Sequence, residues 1–411
     1  MSILARISNR LPFLNQRRTA LAFYKTFGVG ADQVRVLWHY LTGKLFHEYS
    51  DEVHLKATME WLAQAQEACG GNGVSNVFRL GIGWGEAYPE TSGYILVTYL
   101  VYANYSGDKN FVDRAVQIGN WEIDIQAPNG GIFSSVALRQ TRVFNTGQVI
   151  LGWCALFERT GDAKYLQAAI RAGDYLLNEQ EVDGTWRRDT YCGARTYHAG
   201  VDWGLLRLAE LSGERSYAAA AVKNLRWVLE QQLESGWFDQ CGFDDKLPIM
   251  HVIVYTLRGL LESSLTNNEA VKALEIMPAV IRATDALCRA LQAQPVANIR
   301  GMVPTSFDKN WHSPDKDSCL TGNVQLAYFL YRLSHLTSNQ TYKEIADNVV
   351  SATKRTQIVG SSLCEINGAM AGTYPMTHGY VANGYPNWAA KFFADALLMK
   401  INYEQQLVIQ A

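Results

Sequence analysis

Trp84, Glu86, Tyr88 and Glu90 occupy alternate positions in the stretch Arg79–Thr91. A carboxyl flanked by aromatic rings loses water. Burial then disfavours its charged form and lifts its pKa toward the range a general acid needs near neutral pH. Glu86 has no other duty that its position explains, so it is the leading candidate acid. Glu90 has one, because it opens the next helical run, where a negative charge complements the helix dipole. The acid needs a carboxylate partner across the site, and Asp308 and Asp244 are the candidates. Such a pair serves glycoside hydrolysis, with inverting pairs ~6.5–9.5 Å apart and retaining pairs ~5–5.5 Å.

A second run, Tyr374–Trp388, gathers His378, Tyr380, Asn383, Tyr385, Asn387 and Trp388. Tyr380, Tyr385 or His378 could move a proton beside a substrate carboxylate while Arg142 or Arg195 neutralises that carboxylate. This is the chemistry of uronate lyases and C5-epimerases. The predicted catalytic set is therefore Glu86, Asp308, Asp244, Tyr380 and His378. Trp84, Tyr88, Tyr197, Trp311, Tyr385 and Trp388 offer flat faces for sugar rings. Arg142, Gln148, Arg195, His251 and Asn323 complete the predicted binding set. Aromatic faces, scattered carboxyls and arginines together suit an acidic oligosaccharide or polysaccharide. Binding without catalysis is the alternative for the whole set, and plugging of a cavity mouth is the alternative for any single ring. No cofactor and no metal are expected, since no HExxH, phosphate-binding glycine loop or serine elbow occurs.

These residues fall in loops of a repeat. Six times an amphipathic helical stretch ends in a Gly/aromatic loop that leads into a small-residue, apolar helical stretch. Three returns open alike, at Ser92-Gly93, Thr146-Gly147 and Thr321-Gly322. Helices that are apolar all round are buried, and amphipathic ones lie outside them. Six such hairpins predict an all-α (α/α)6 toroid over residues 51–411, one domain, with a short helical N-terminal extension over residues 1–50 packed on it. Inner helices are predicted to start near Thr91, Thr146, His198, His251, Thr321 and Asn387. Short Gly-acid links, such as Gly161-Asp162, join each inner helix to the next outer one. The long links all lie at the other end, and long loops are usually functional.

The chain has 411 residues and a net charge of −2. It lacks the basic face a nucleic-acid binder needs. Seven cysteines without a CxxC pair fit a reducing compartment. No run is long and apolar enough for a bilayer span, and no secretory h-region opens the chain. A cytoplasmic location is expected. Oligomeric state has no sequence signal.

The hairpins and their Gly/aromatic loops resemble the six-hairpin glycosidase-like superfamily over roughly residues 52–403. The segment Gly83-Trp-Gly-Glu-Ala-Tyr-Pro-Glu-Thr-Ser-Gly93-Tyr94 is also similar to VpsJ-like proteins of bacterial exopolysaccharide loci. That resemblance implies a cytoplasmic or membrane-proximal role in making or trimming matrix polysaccharide; the residues themselves rank a hydrolase acting through Glu86 first and a lyase or C5-epimerase second. Unsaturated glucuronyl hydrolases carry paired Asp at inner-helix starts, and here only Asp202 lies near one. The N-acylglucosamine 2-epimerases depend on paired His, for which His251 and His378 are the nearest match. Gln180-Glu-Val-Asp-Gly184-Thr-Trp186 matches the Q-x3-G-x-W repeat of squalene cyclases, but their D-x-D-D motif is missing. The Gln-Gly-Trp pattern is therefore assigned to the ends of outer helices.

Overall fold

The computed structural model describes residues 12–244, 246–293, 301–377 and 379–404. Helices α1 (Pro12–Phe27) and α2 (Ala31–Thr42) precede six helical hairpins. The outer helices are α3 (Asp51–Glu67), α5 (Asn110–Ile125), α7 (Ala163–Glu179), α9 (Arg215–Glu230), the pair α11 (Glu269–Lys272) and α12 (Ile276–Ala293), and α14 (Gln340–Lys354). The inner helices are α4 (Pro89–Ser106), α6 (Val143–Thr160), α8 (Ala199–Ser212), α10 (Met250–Ser264), α13 (Leu320–Thr337) and α15 (Asn387–Glu404). Each inner helix packs on the next, and α15 packs on α4 to close the ring. The protein is an (α/α)6 toroid, and every inner helix starts within three residues of its predicted position.

The sequence pattern predicts one unbroken outer helix over Asn268–Gln294 in hairpin five, but the helix stops after Lys272 and restarts at Ile276. Pro278 has no N–H to donate and fits only the first turn of a helix. Glu275, at φ 49°, makes the break.

The glutamine–glycine pattern sets the spacing of the outer layer. The Gln180 side-chain amide donates to Gly184 O at 2.9 Å, within its own turn, and to Ala220 O at 2.9 Å, on the next outer helix. Gln126 bonds Gly130 O and Ala168 O in the same way, and Gln232 bonds Gly236 O and Ala279 O. Gly184 has φ +88°, and a Cβ there would stand 2.7–2.9 Å from Lys223. The last turn repeats this arrangement on the first outer helix. Gly368 lies against Ala57 O of α3, and Gln357 bonds Thr58 and His54.

Inner helices cross at glycines. A Cβ on Gly93 would meet Val149 Cα at 2.9 Å, and one on Gly147 would meet Val201 Cα at 2.8 Å. The hydroxyls beside these glycines serve the loops. Ser92 Oγ accepts from Val74 N and Thr146 Oγ1 from Ile132 N. The Ser/Thr-Gly openings are thus packing devices. Helices α1 and α2 pack on the loops of hairpins one and six. Thr19 Oγ1 donates to Asn383 Oδ1 at 2.7 Å, and Phe27 stacks 6.3 Å from Phe78. Residues 1–11 of the predicted extension and 405–411 of the predicted barrel domain lie outside the described residues. Among the described residues no helix is long and apolar enough to cross a membrane.

Candidate active site

All long links meet at the N-terminal ends of the inner helices. Strands β1 (Val77–Arg79), β2 (Gly83–Trp84) and β5 (Gly384–Pro386) join the loop of hairpin one to that of hairpin six, with Phe78 opposite both Trp84 and Tyr385. Strands β3 (Ser318–Cys319) and β4 (Thr373–Tyr374) join loops five and six. These short ladders fix the loops that carry the mouth.

The carboxyl at the centre of the mouth is Glu90. It sits in the first turn of α4, 8% exposed, with no capping bond from the residue before that helix. Burial raises its pKa to about 8, against a small opposing effect of the Tyr88 hydroxyl, which donates to Glu90 Oε2 at 3.4 Å. Tyr88 also meets the Tyr191 hydroxyl at 3.1 Å, and Tyr191 donates to Asn145 Oδ1 at 3.1 Å. The Arg142 guanidinium lies 5.1 Å from the Tyr191 ring centre. One of its donors is bonded to Gln140 at 2.7 Å, while its buried Nε has no partner.

The opposite wall is aromatic. His251 stands 4.6 Å from Tyr255, 5.9 Å from Tyr380 and 6.3 Å from Phe243 between ring centres. Burial drops the His251 pKa to about 4, so its ring is neutral; Gln325 holds Nδ1 at 2.7 Å. Trp388 lies 6.3 Å from Tyr88 and 6.4 Å from Tyr380. Tyr197 packs on Phe144 and Phe243. Burial raises the Tyr380 hydroxyl well above its ordinary value, with Cys319 and Glu90 adding to the shift.

Of the predicted residues, the structure brings together Tyr88, Arg142, Tyr197, His251, Tyr380 and Trp388 around Glu90. Asp244 follows Phe243 on the rim. It is exposed and paired with Lys246 at 2.7 Å, whose hydrogen bond holds its pKa below the ordinary value. Gln148 lies deeper in the lumen, its amide 3.5 Å from Gly200 O.

Trp84, Glu86, Asp308, Trp311, Asn323 and Tyr385 are engaged away from the Glu90 cluster. Glu86 is exposed, because the Trp84 ring meant to desolvate it turns instead to Trp61 of α3 and to Phe78. Asp308 closes a surface turn, accepting from Asn310 N and His312 N, while Trp311 packs on Trp237 and Phe307. The Arg195 donors hold Cys192 O, Cys192 Sγ and Gln240. Asn323 ties Ser318, Cys319 and Val303 together. The Tyr385 hydroxyl meets Tyr40 of α2, outside the mouth. Asp202 turns outward to Asn224 of α9, at 2.6 Å. His378 lies outside the described residues.

The sequence alone explains Glu90 as a helix-dipole residue and so does not single it out. The signal that could have found it is Tyr94, one turn on and on the same face, since a cap faces solvent and a carboxyl above a buried Tyr does not. Tyr255 is reachable in the same way from His251.

Solved structures share this fold. Unsaturated glucuronyl hydrolase from Bacillus sp. GL1 superposes with a TM-score of 0.65 at 16% identity, covering 85% of this chain and 96% of that one. A sugar epimerase from a ruminal bacterium gives 0.67 at 11%, over 86% and 100%. A polysaccharide lyase gives 0.64 at 11%, over 88% and 100%. The shared feature is the toroid. No family model matches the chain. Among curated proteins, ent-copalyl diphosphate synthase of Streptomyces sp. (strain KO-3988) is 33% identical over 116 residues, 28% of this chain. The matched stretch spans about a fifth of that relative, 21%.

Proposed function

We propose that the protein is a carbohydrate-active enzyme that acts on an acidic, uronate-containing glycan, with hydrolysis as its reaction. The observation that carries this reading is Glu90, a buried carboxyl that stays protonated up to about pH 8 at the mouth of a toroid. A protonated carboxyl gives its proton to the leaving oxygen. Asp244, kept ionised by Lys246 on the rim, is its proposed partner. Two carboxyls whose surroundings push their pKa values apart suit an acid and a base. Trp388 and Tyr380 would stack the sugar, and Arg142 would take the uronate carboxylate. The glucuronyl hydrolase, lyase and epimerase built on the same toroid support the substrate class by analogy of fold.

The Gly83–Tyr94 likeness to VpsJ-like proteins supports a place in matrix polysaccharide metabolism, and the unpaired thiols support a cytoplasmic site. The test is incubation with uronate oligosaccharides and mass analysis of the products. Cleavage with gain of one water is expected. Cleavage without water, leaving an unsaturated uronate, would make the enzyme a lyase, and inversion without cleavage would make it an epimerase. Binding without any product would reduce it to a glycan-binding protein. The partial match to a diphosphate synthase favours one further reading, proton-initiated cyclisation of a prenyl diphosphate by Glu90 among aromatic faces. Turnover of such a substrate in place of glycans would establish it.

A further inference from the structure

The lumen has a second open end. Below the Glu90 cluster, Phe392 stands 5.4 Å from Tyr94 and 6.0 Å from Tyr255, an aromatic layer across the barrel. Past this layer, toward the C-terminal ends of the inner helices, lies a cavity of about 210 Å³. Its lining includes Gln148, Ala155, Trp203, Arg258, Arg332 and Lys391.

Most of its charges are matched. Arg332 pairs with Glu262 at 3.0 Å, and Arg207 with both Glu158, at 2.8 Å, and Glu210. Lys391 pairs with Asp395, which also accepts from Thr98 at 2.7 Å. Arg258 has the loosest match. Its side chain is 13% exposed, and the Asp395 carboxylate lies 3.9 Å away, beyond hydrogen-bond reach. Its buried Nε has no partner. Rings of Tyr328, Trp203 and Phe392 approach it at 4.3, 5.3 and 5.8 Å. Cation–π contact stabilises the faces of a guanidinium. It does nothing for the N–H groups in the plane, whose burial without acceptors is costly. A planar guanidinium with a buried Nε–H left without an acceptor matches a carboxylate.

We propose that this far-end cavity binds a small cyclic carboxylate, about one sugar ring in size, with its carboxylate on Arg258 and its ring against Trp203. Tyr94, Tyr255 and Phe392 lie between this cavity and the Glu90 mouth, and the proposal does not rest on the function proposed for that mouth.

The test is calorimetric titration of the full chain carrying Glu90→Gln with D-glucuronate, with benzoate and with neutral D-glucose. Glucuronate or benzoate should bind at one site that glucose does not fill; which of the two binds tells a sugar body from an apolar one. Adding Arg258→Met, which keeps the stem packing, should weaken that site at least ~10-fold, the scale of one charged hydrogen bond. Ala155→Trp fills the cavity without touching a charge and should do the same, so it carries the test if Arg258→Met does not fold. No binding of either carboxylate, or an isotherm unchanged by both substitutions, overturns the proposal.

Discussion

Glu90 and Glu86 lie one helical turn apart in sequence and in opposite surroundings. Residue type and aromatic neighbours were legible from the sequence, but the direction of each side chain was not. Trp84 belongs to a strand that pairs with β1, so its ring faces the outer layer and leaves Glu86 in water. Glu90 is on the lumen side of α4 and loses water instead. This has a consequence for stability. The folded pKa of Glu90, about 8, exceeds its ordinary value of 4.5. The folded state therefore holds a proton that the unfolded chain gives up between those values, and stability falls as pH rises through that window. Glu90→Gln removes this penalty. The variant should melt close to wild type at pH 5 and above it at pH 9. Equal melting temperatures at both pH values would mean that Glu90 is not buried in its neutral form.

At the scale of elements, periodicity revealed the hairpins and their order because amphipathic and all-apolar helices are distinct patterns. It did not show how neighbouring outer helices are tied, since that needs a glutamine from one hairpin on the carbonyls of the next. Gly184 and Gly161 separate two roles of glycine. Both have positive φ, but a Cβ at Gly161 has open space and one at Gly184 meets the α9 backbone. Gly161→Ala should cost ~1 kcal/mol, the penalty of the left-handed conformation alone. Gly184→Ala adds overpacking and should cost ~2–4 kcal/mol. Urea denaturation of the two variants checks the difference. The break at Glu275 was legible in principle from Pro278, which marks a first turn and not a helix interior.

At the scale of the molecule, the ring closes where hairpin six meets hairpin one. Asp51 of α3, its side chain 10% exposed, takes Lys354 of α14 at 2.8 Å and Lys400 of α15. Burial alone would raise the Asp51 pKa, but the two lysines outweigh it and the net shift is downward. Its contribution is present above the ordinary carboxyl range and is lost as pH falls through the lowered value. Asp51→Asn leaves both lysines without that carboxylate and should cost ~3 kcal/mol, read from urea midpoints at neutral pH. The closed ring also brings the long loops to one mouth, around the buried Glu90. The most direct measurement is turnover of uronate oligosaccharides by wild type, Glu90→Gln and Glu86→Gln. Loss of a general acid should lower kcat ~10²-fold or more in Glu90→Gln, while Glu86→Gln stays near wild type. Full activity in Glu90→Gln with loss in Glu86→Gln would contradict the account.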